Sequence, residues 1–360
     1  MKKTFLYLAA AALLAGAACS KFDERETVPA EQTPAEGSIH FSLTPEDGPE
    51  DGSRAVSAYT AAQPYETQVN RVQVLVFNPD GKLASYKDNG TSLSGSISTA
   101  AGEKTVWAVI NGPDLQSVGT LTALQTTAVD LGANSTTAAT GFVMAGNGSC
   151  TVTGTGSVDC KFNVSRLVSR VALTSVTNHL PSSYGALKVE RVFLCSAVGN
   201  QNIAGNASPS TWYNKDGRAD ESTRNAGHII DGSTYNASCP TLTYRSVSQN
   251  VANGGTHSPS TPYLFYAFPN SATAAPNGFS DPFTAKRTVL TVVATVGGEI
   301  QYYPVVLDDA VLARNTAYTV ALTIEGLGSD DPNKPVSKGS ISVTLTVSGW
   351  SAGAVYEETI

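Results

Sequence analysis

A chain of 360 residues with 41% hydrophobic content can bury a sizeable core, and at about 150 residues per domain it suggests two domains. Only 15% of the residues are charged, against 32 glycines and abundant Ser, Thr and Ala, a balance that suits an extracellular β protein better than a cytosolic enzyme. The formal net charge of −7 gives no attractive field for phosphates, so nucleic acid is not an expected partner.

Lys2 and Lys3 precede an apolar run from Phe5 to Leu14 and the small residues Ala15-Gly16-Ala17-Ala18, which end at Cys19. This is the layout of a secretory signal over residues 1–19, and at about 15 residues the apolar part is too short to span a bilayer, which takes about 20. A cysteine directly behind small residues resembles the lipobox of bacterial lipoproteins. There the thiol is diacylated and the freed amino group takes a further chain, palmitate being the expected acyl group, and several chains are what stable anchoring needs. Gly16 stands where such a lipobox usually has Leu, and a plain signal peptide cut near Ala18 is the alternative. Ser20 to Glu26 resembles the acidic tag that sends such lipoproteins to the cell surface, and it also reads as a solvated tail.

Gly37 to Ala55 reads GSIHFSLTPEDGPEDGSRA. Ile39, Phe41 and Leu43 share one face of an extended segment while His40 and Ser42 take the other, as in a half-buried strand. The PEDGPEDG stretch behind it has too much Gly, Pro and like charge to fold, which places Arg54 and Ala55 where proteases cut. Cutting after Arg54 would detach the strand from everything that follows. The segment therefore reads as a removable strand, with an ordinary first strand and a floppy turn as the alternative.

From Tyr59 onward the chain alternates strands and turns. Val69 to Phe77 is a strand, apolar on both faces near its end, followed by the turn Asn78-Pro79-Asp80-Gly81-Lys82 and a returning strand from Leu83 to Lys87. Thr105 to Ile110 is another β run, and Leu115, Val118, Leu121 and Leu124 lie at helical spacing, which predicts one short helix within Asp114 to Leu131. Four cysteines remain beside Cys19, an even number for an oxidising compartment. Cys150 and Cys160 lie symmetrically about Thr155, so a hairpin turning at Gly154 to Gly156 would set them opposite one another with Cβ atoms about 4.5–5.5 Å apart, close enough for a disulfide. Free buried thiols are the alternative for them, and Cys195 and Cys239 have no comparable geometric argument for pairing.

In the second half, Arg166 to Leu173, Leu187 to Ser196, Tyr263 to Phe268, Ala317 to Ile324 and Ser340 to Val347 read as strands. Thr288 to Val296 and Ile300 to Leu307 read as a hairpin around Gly297-Gly298. The stretch from Val198 to Pro259 is polar and loop-rich, the kind of surface that binds or decorates. Strand after strand with turns between them means a two-domain β-sandwich protein. Signals of chemistry are sparse. His40, His179, His228 and His257 are scattered, no HExxH or CxxC occurs, and Asp47, Glu50 and Asp51 lack the oxygen spacing of a calcium loop. Counting carboxylates does not exclude a glycosidase pair, but only a cleft would promote one. No enzyme, metal or cofactor is expected.

Four blocks of the second half carry a resemblance: Tyr302-Tyr303-Pro304-Val305, then Ala313 to Gly326 with its Arg314-Asn315-x-x-Tyr318 core, then Gly328 to Pro332, and Val343 to Trp350. Together they resemble the C-terminal half of the fimbrillins, the FimA-type and Mfa-like fimbrial subunits of Bacteroidetes. Val74 to Gly81, Val106 to Asn111, and Phe142 to Gly146 leading into Arg166 to Leu173 follow the same family in the same order. The resemblance implies an all-β fold of two transthyretin-like β-sandwich domains in tandem, joined near Asn163. Residues 20–54 would be a propeptide carrying the removable strand, 55–162 the N-terminal domain and 163–360 the C-terminal one. It further implies a lipoprotein precursor on the outer membrane, an arginine-specific protease acting at Arg54, and other fimbrial subunits as partners. Arg25 fits that cut less well because it precedes the strand.

Two functions follow. One is a structural subunit of an adhesive fimbrium, polymerised by donor strand exchange and meeting a host or bacterial surface ligand. The other is a non-polymerising surface lipoprotein that keeps Cys19 and binds glycans or host molecules in the loops from Val198 to Pro259, with Trp212 and Tyr213 as stacking groups. For strand exchange the chain's own end is the candidate donor over residues 351–360. Ala354, Tyr356 and Ile360 alternate on one face there, interrupted by Glu358, and a frayed tail is the alternative.

Overall fold

The computed structural model describes residues 35–46, 63–134, 140–205, 209–214, 241–274, 284–307, 312–332, 334–337, 339–350 and 356–359. The fold is all-β. The N-terminal half contributes β1 (Glu36–Pro45), the single turn α1 (Pro64–Thr67), β2 (Val72–Phe77), β3 (Leu83–Asp88), β4 (Ser94–Ala100), β5 (Gly102–Ile110), α2 (Leu121–Thr126), β6 (Ala128–Asp130), β7 (Met144–Val152) and β8 (Ser157–Arg166). The C-terminal half contributes β9 (Ser169–Asn178), β10 (Leu187–Cys195), β11 (Ala197–Val198), β12 (Asn200–Asn202), β13 (Trp212–Tyr213), β14 (Tyr244–Val251), β15 (Thr256–His257) and β16 (Tyr263–Ala267). Then come β17 (Val289–Val296), β18 (Glu299–Val306), β19 (Thr316–Ile324), β20 (Ile341–Gly349) and β21 (Tyr356–Thr359).

Seven strands of the N-terminal half form one sheet in the order β3-β2-β5-β7-β8-β1-β4. Its two ends meet: Ser85 Oγ donates to Ser98 O at 2.7 Å and Lys87 Nζ to Ser96 O at 2.8 Å, so the sheet curls around an apolar interior. That interior takes Ile39, Phe41 and Leu43 from β1, Val72, Val74 and Val76 from β2, and Val106, Ala108 and Ile110 from β5. Glycines make room for the large rings. A Cβ on Gly148 would lie 2.8 Å from Phe162, and one on Gly95 would lie 3.0 Å from Phe41 Cζ.

Sequence periodicity explains why β2 reads as apolar on both faces. Leu75 and Phe77 of β2, with Trp107 and Val109 of β5, point away from the first interior into a second core that continues into the C-terminal half. There two sheets face each other, β14-β10-β17-β18 and β15-β9-β19-β20-β21, with β16 also on β9. Val192, Leu194, Leu290 and Val292 of one sheet meet Leu173, Val320, Leu322 and Leu345 of the other in that shared core. A two-stranded ladder between β6 and β12 stitches the halves together as well. β8 runs through Asn163 to Arg166, and β9 begins at Ser169. The hairpin β17–β18 turns on Gly297 and Gly298 at φ 60° and 92°, the left-handed pair a two-residue turn requires.

The expected helix between Asp114 and Leu131 is shorter than its leucine spacing suggests. Gln73, fully buried on β2, draws the start of that stretch onto the sheet: its Oε1 accepts from Leu115 N at 2.8 Å and its Nε2 donates to Pro113 O at 2.7 Å. Helix α2 starts only after Thr120, whose Oγ1 accepts from Ala123 N at 3.1 Å as an N-cap.

Candidate functional site

The strand β1 lies between two neighbours. It pairs antiparallel with β4 over Glu36–Ser42 and parallel with β8 over Ser38–Pro45. Ile39 and Phe41 are fully buried and Leu43 is 5% exposed, while His40 is exposed and hydrogen bonded to Ser96 Oγ at 3.3 Å. All three apolar residues read from the sequence as the removable face therefore enter the interior together. At about 1.5–3 kcal/mol for each large apolar side chain, their burial contributes on the order of 5–9 kcal/mol.

Beyond Pro45 the slot ends in a polar hub. Glu46 N donates to Val164 O at 2.9 Å, continuing the ladder. Glu46 O accepts from Arg166 Nη1 at 3.3 Å, and Glu46 Oε2 accepts from Asn315 Nδ2 at 2.9 Å. Asn315 Oδ1 in turn accepts from Arg166 Nη1 at 3.3 Å, and Asn315 O from Trp350 N at 2.8 Å.

Next to it, Glu66 is fully buried. Its carboxylate accepts from Tyr266 OH at 2.5 Å, Gln63 N at 2.7 Å, Arg170 Nη1 at 3.1 Å and Trp350 Nε1 at 3.2 Å. The guanidinium carbons of Arg166 and Arg170 lie 4.7 and 5.3 Å from the Trp350 ring, and Tyr266 stacks on that ring at 5.9 Å. Burial, and then the Glu66 charge, push the Tyr266 hydroxyl well above its ordinary pKa, so it remains a donor. A carboxylate this deep is tolerated only because each oxygen has several donors.

The hub ties together the end of β1, the first residues after Gln63 and the base of the C-terminal segment. Sequence reading marked Arg166 and the Arg314-Asn315 block but missed Glu46, Glu66 and Trp350 as partners. Their one local signal is the carboxylate in the third position of the α1 turn, which caps Gln63 N. Arg54, Ala55 and Cys19 lie outside the described residues, as do Ala354, Ile360 and Cys239.

Several expectations change. Cys150 and Cys160 are present as free thiols, the reduced form of the expected pair. β7 pairs with β8 at Met144–Arg166 and Ala145–Ser165, and further along the two strands the Cys150 and Cys160 thiols are near enough for each to act on the other's pKa. Proximity is met, but joining the sulfurs also needs an oxidant to remove two hydrogens. The C-terminal tail is not frayed at Tyr356–Thr359: that stretch is β21, paired antiparallel with Thr344–Val347 of β20. Trp212 and Tyr213 form β13 against β11, with Tyr213 7% exposed and packed into the shared core. Trp212 is half-buried against the same core. Among the described residues no group of three His, Cys, Asp or Glu side chains could hold a metal ion.

Residues 37–178, from the second residue of β1 to the end of β9, match the family of the major fimbrial subunit protein FimA. This part of the chain is fimbrillin-like. Solved structures of the same fold include a fimbrilin from Porphyromonas gingivalis W83, at 13% identity and a TM-score of 0.60 over 89% of this chain and 99% of that one. A candidate cell adhesion protein from Parabacteroides distasonis ATCC 8503 gives 16% identity and a TM-score of 0.59 over 90% and 99%. Another from Bacteroides eggerthii DSM 20697 gives 20% and 0.58 over 88% and 96%. At these identities the solved structures establish the fold alone. The fimbrillin-like segment includes β1 with all three of its buried apolar residues, and it ends after Arg166 and Arg170 have entered the hub.

Proposed function

We propose that this chain is a structural subunit of a cell-surface fimbrium. It would be exported as a lipoprotein through Cys19, cut after Arg54, and polymerised when a strand of another subunit replaces β1. The observation that carries the reading is β1 itself, an apolar strand seated between β4 and β8 and joined to the rest of the chain through the stretch that holds Arg54. The fimbrillin-like match over residues 37–178 supports it, and the family matched is one of structural subunits.

Losing β1 would open a groove worth on the order of 5–9 kcal/mol in apolar burial, comparable with a domain's whole stability of about 5–15 kcal/mol. Unpaired ladder groups on β4 and β8 add to that drive. Strand addition to an open edge is an established mode of recognition, and a head-to-tail exchange does not close, so it grows a filament. The donor in this reading is the segment 351–360. It would give up the four-residue ladder that holds β21 on its own β20 and enter the neighbour's slot. Outer-membrane residence of the precursor and maturation by an arginine-specific protease complete the proposal.

In vitro cleavage at Arg54 of the full-length chain and of a variant lacking Ser351–Ile360 tests it. Full-length subunits should form ladders that resist mild denaturant while the truncated ones stay monomeric. Equal polymerisation of both would remove the C-terminal donor from the account.

A further inference from the structure

The slot that holds β1 is apolar along its length but closes on an amide donor with a guanidinium group beside it. Asn315 is fixed there with a defined polarity. Its backbone, at φ 51°, donates to Val168 O and accepts from Trp350 N, and its Oδ1 is taken by Arg166 Nη1. What it turns toward β1 is the Nδ2 donor, and the Glu46 carboxylate receives it at 2.9 Å.

A second cation stands close. Arg314 Nη2 donates to Ala145 O, Ser165 O and Ser165 Oγ at 3.3, 3.1 and 2.9 Å, and its Nε has no partner among the described residues. Glu46 N donates to Val164 O and Arg314 Nη2 to Ser165 O, the next residue of β8, so the two lie side by side; burial lowers the pKa of Arg314 and the charge of Glu46 pulls it back up. When β1 leaves, Glu46 leaves with it, while Arg166, Arg314 and Asn315 stay.

We propose that Asn315, flanked by the Arg166 and Arg314 guanidinium groups, forms a carboxylate-binding subsite at the end of the slot, and that the donor strand of a second copy of this chain is recognised there by an acidic group. The inference rests on the reading of β1 as a removable strand and deepens it from shape to specificity. An incoming strand of the right apolar pattern still offers Arg166 a main-chain carbonyl, but without an acid it leaves the Asn315 Nδ2 donor with no carboxylate beside the two guanidinium charges, and hydrogen bonds to charged groups are the strong ones. The chain's own tail meets the requirement. Glu357 and Glu358 lie within the last four residues before Ile360, and Glu358, an interruption on purely apolar grounds, becomes a recognition element. Discrimination then comes from a charge that rewards the right strand and penalises neutral ones of similar hydrophobicity.

The test uses the full chain with a specific protease site placed between residues 47 and 62, nicked in vitro, so that the β1 fragment can exchange with labelled peptides. Four peptides are compared: Glu36–Glu46, the same with Glu46→Gln, Ser351–Ile360, and that tail with Glu357→Gln and Glu358→Gln. Each Gln peptide should bind about fivefold more weakly than its acidic parent, because glutamine keeps an acceptor for Asn315 Nδ2 but turns a charge-assisted bond into a neutral one of about half the strength. In an Asn315→Gly subunit, where glycine suits the left-handed backbone, the Glu-to-Gln ratio should shrink toward one. Equal binding of Glu and Gln peptides to the native slot overturns the subsite while leaving β1 exchange intact. An unchanged ratio in the Asn315→Gly subunit also overturns it, as does failure of the tail peptide to compete where the β1 peptide does. No exchange of β1 at all, even near the unfolding midpoint, overturns the subsite and the removable-strand reading together.

Discussion

Asn315 and Glu46 are 269 residues apart in the chain and joined by a 2.9 Å hydrogen bond from Nδ2 to Oε2. The bond links the end of the first strand to the first residues of the strand pair that carries the C-terminal segment, because the Asn315 carbonyl also holds Trp350 N. The two ends proposed to change places during assembly are therefore fastened to one residue. That residue belongs to the Arg-Asn-x-x-Tyr block, whose other members do related work. Arg314 grips the ends of β7 and β8, and Tyr318 OH accepts from Ala313 N at 3.0 Å.

Phe41→Ala should weaken the precursor more than any other single change in β1. Its ring is fully buried, and Gly95 opposite it offers nothing to fill the gap. A cost of about 3–5 kcal/mol is expected for such a truncation, read from urea denaturation of the uncut chain. A loss under about 1 kcal/mol would mean that β1 is not packed as described.

Glu66→Ala should cost about 3–5 kcal/mol, because it leaves the buried Arg170 guanidinium without its closest carboxylate at 3.1 Å. Tyr266→Phe removes only one donor to that carboxylate and should cost about 1.5–3 kcal/mol. Equal effects from the two variants in urea midpoints would show that Glu66 acts through Tyr266 alone.

The thiol pair makes a redox prediction. In oxidised protein Cys150 and Cys160 should be joined, seen as loss of two hydrogens in the intact mass, and the cross-link of this short hairpin should stabilise by about 2–3 kcal/mol. In reduced protein, burial pushes Cys160 up to about 12, with the nearby Cys150 adding to it, while Cys150 is raised less strongly. Alkylation at pH about 8 should then label Cys150 first. Because the folded value of Cys160 exceeds the ordinary 9.0, its contribution to stability is complete below pH 9.0 and is lost as pH rises toward about 12. Faster labelling of Cys160 would contradict the burial of its sulfur inside the curled sheet.

Much of the fold was legible because period-2 patterns bury one face. Ile39, Phe41 and Leu43 alternate and are buried as a set, and Gly297-Gly298 marks its hairpin by the φ values it needs. The leucines from Leu115 to Leu124 misled because a strand residue, Gln73, captures the start of that segment, a long-range bond that local spacing does not encode. The hub was illegible for the same reason. Glu46 and Glu66 are ordinary residues in sequence, and they meet Arg166, Asn315 and Trp350 only when the two halves pack. Conversely, symmetry about Thr155 brought Cys150 and Cys160 near one another on paper, and their thiols do act on each other, while their redox state depends on an oxidant outside the chain.

The intact mass of subunits taken from assembled surface fibres bears most directly on the central claim. A chain that begins at Ala55, without Glu36–Glu46 and without an acylated Cys19, is the predicted result. Fibres whose subunits still carry Ile39, Phe41 and Leu43 in a continuous chain from Cys19 would contradict it, because the slot would never have been vacated for another strand.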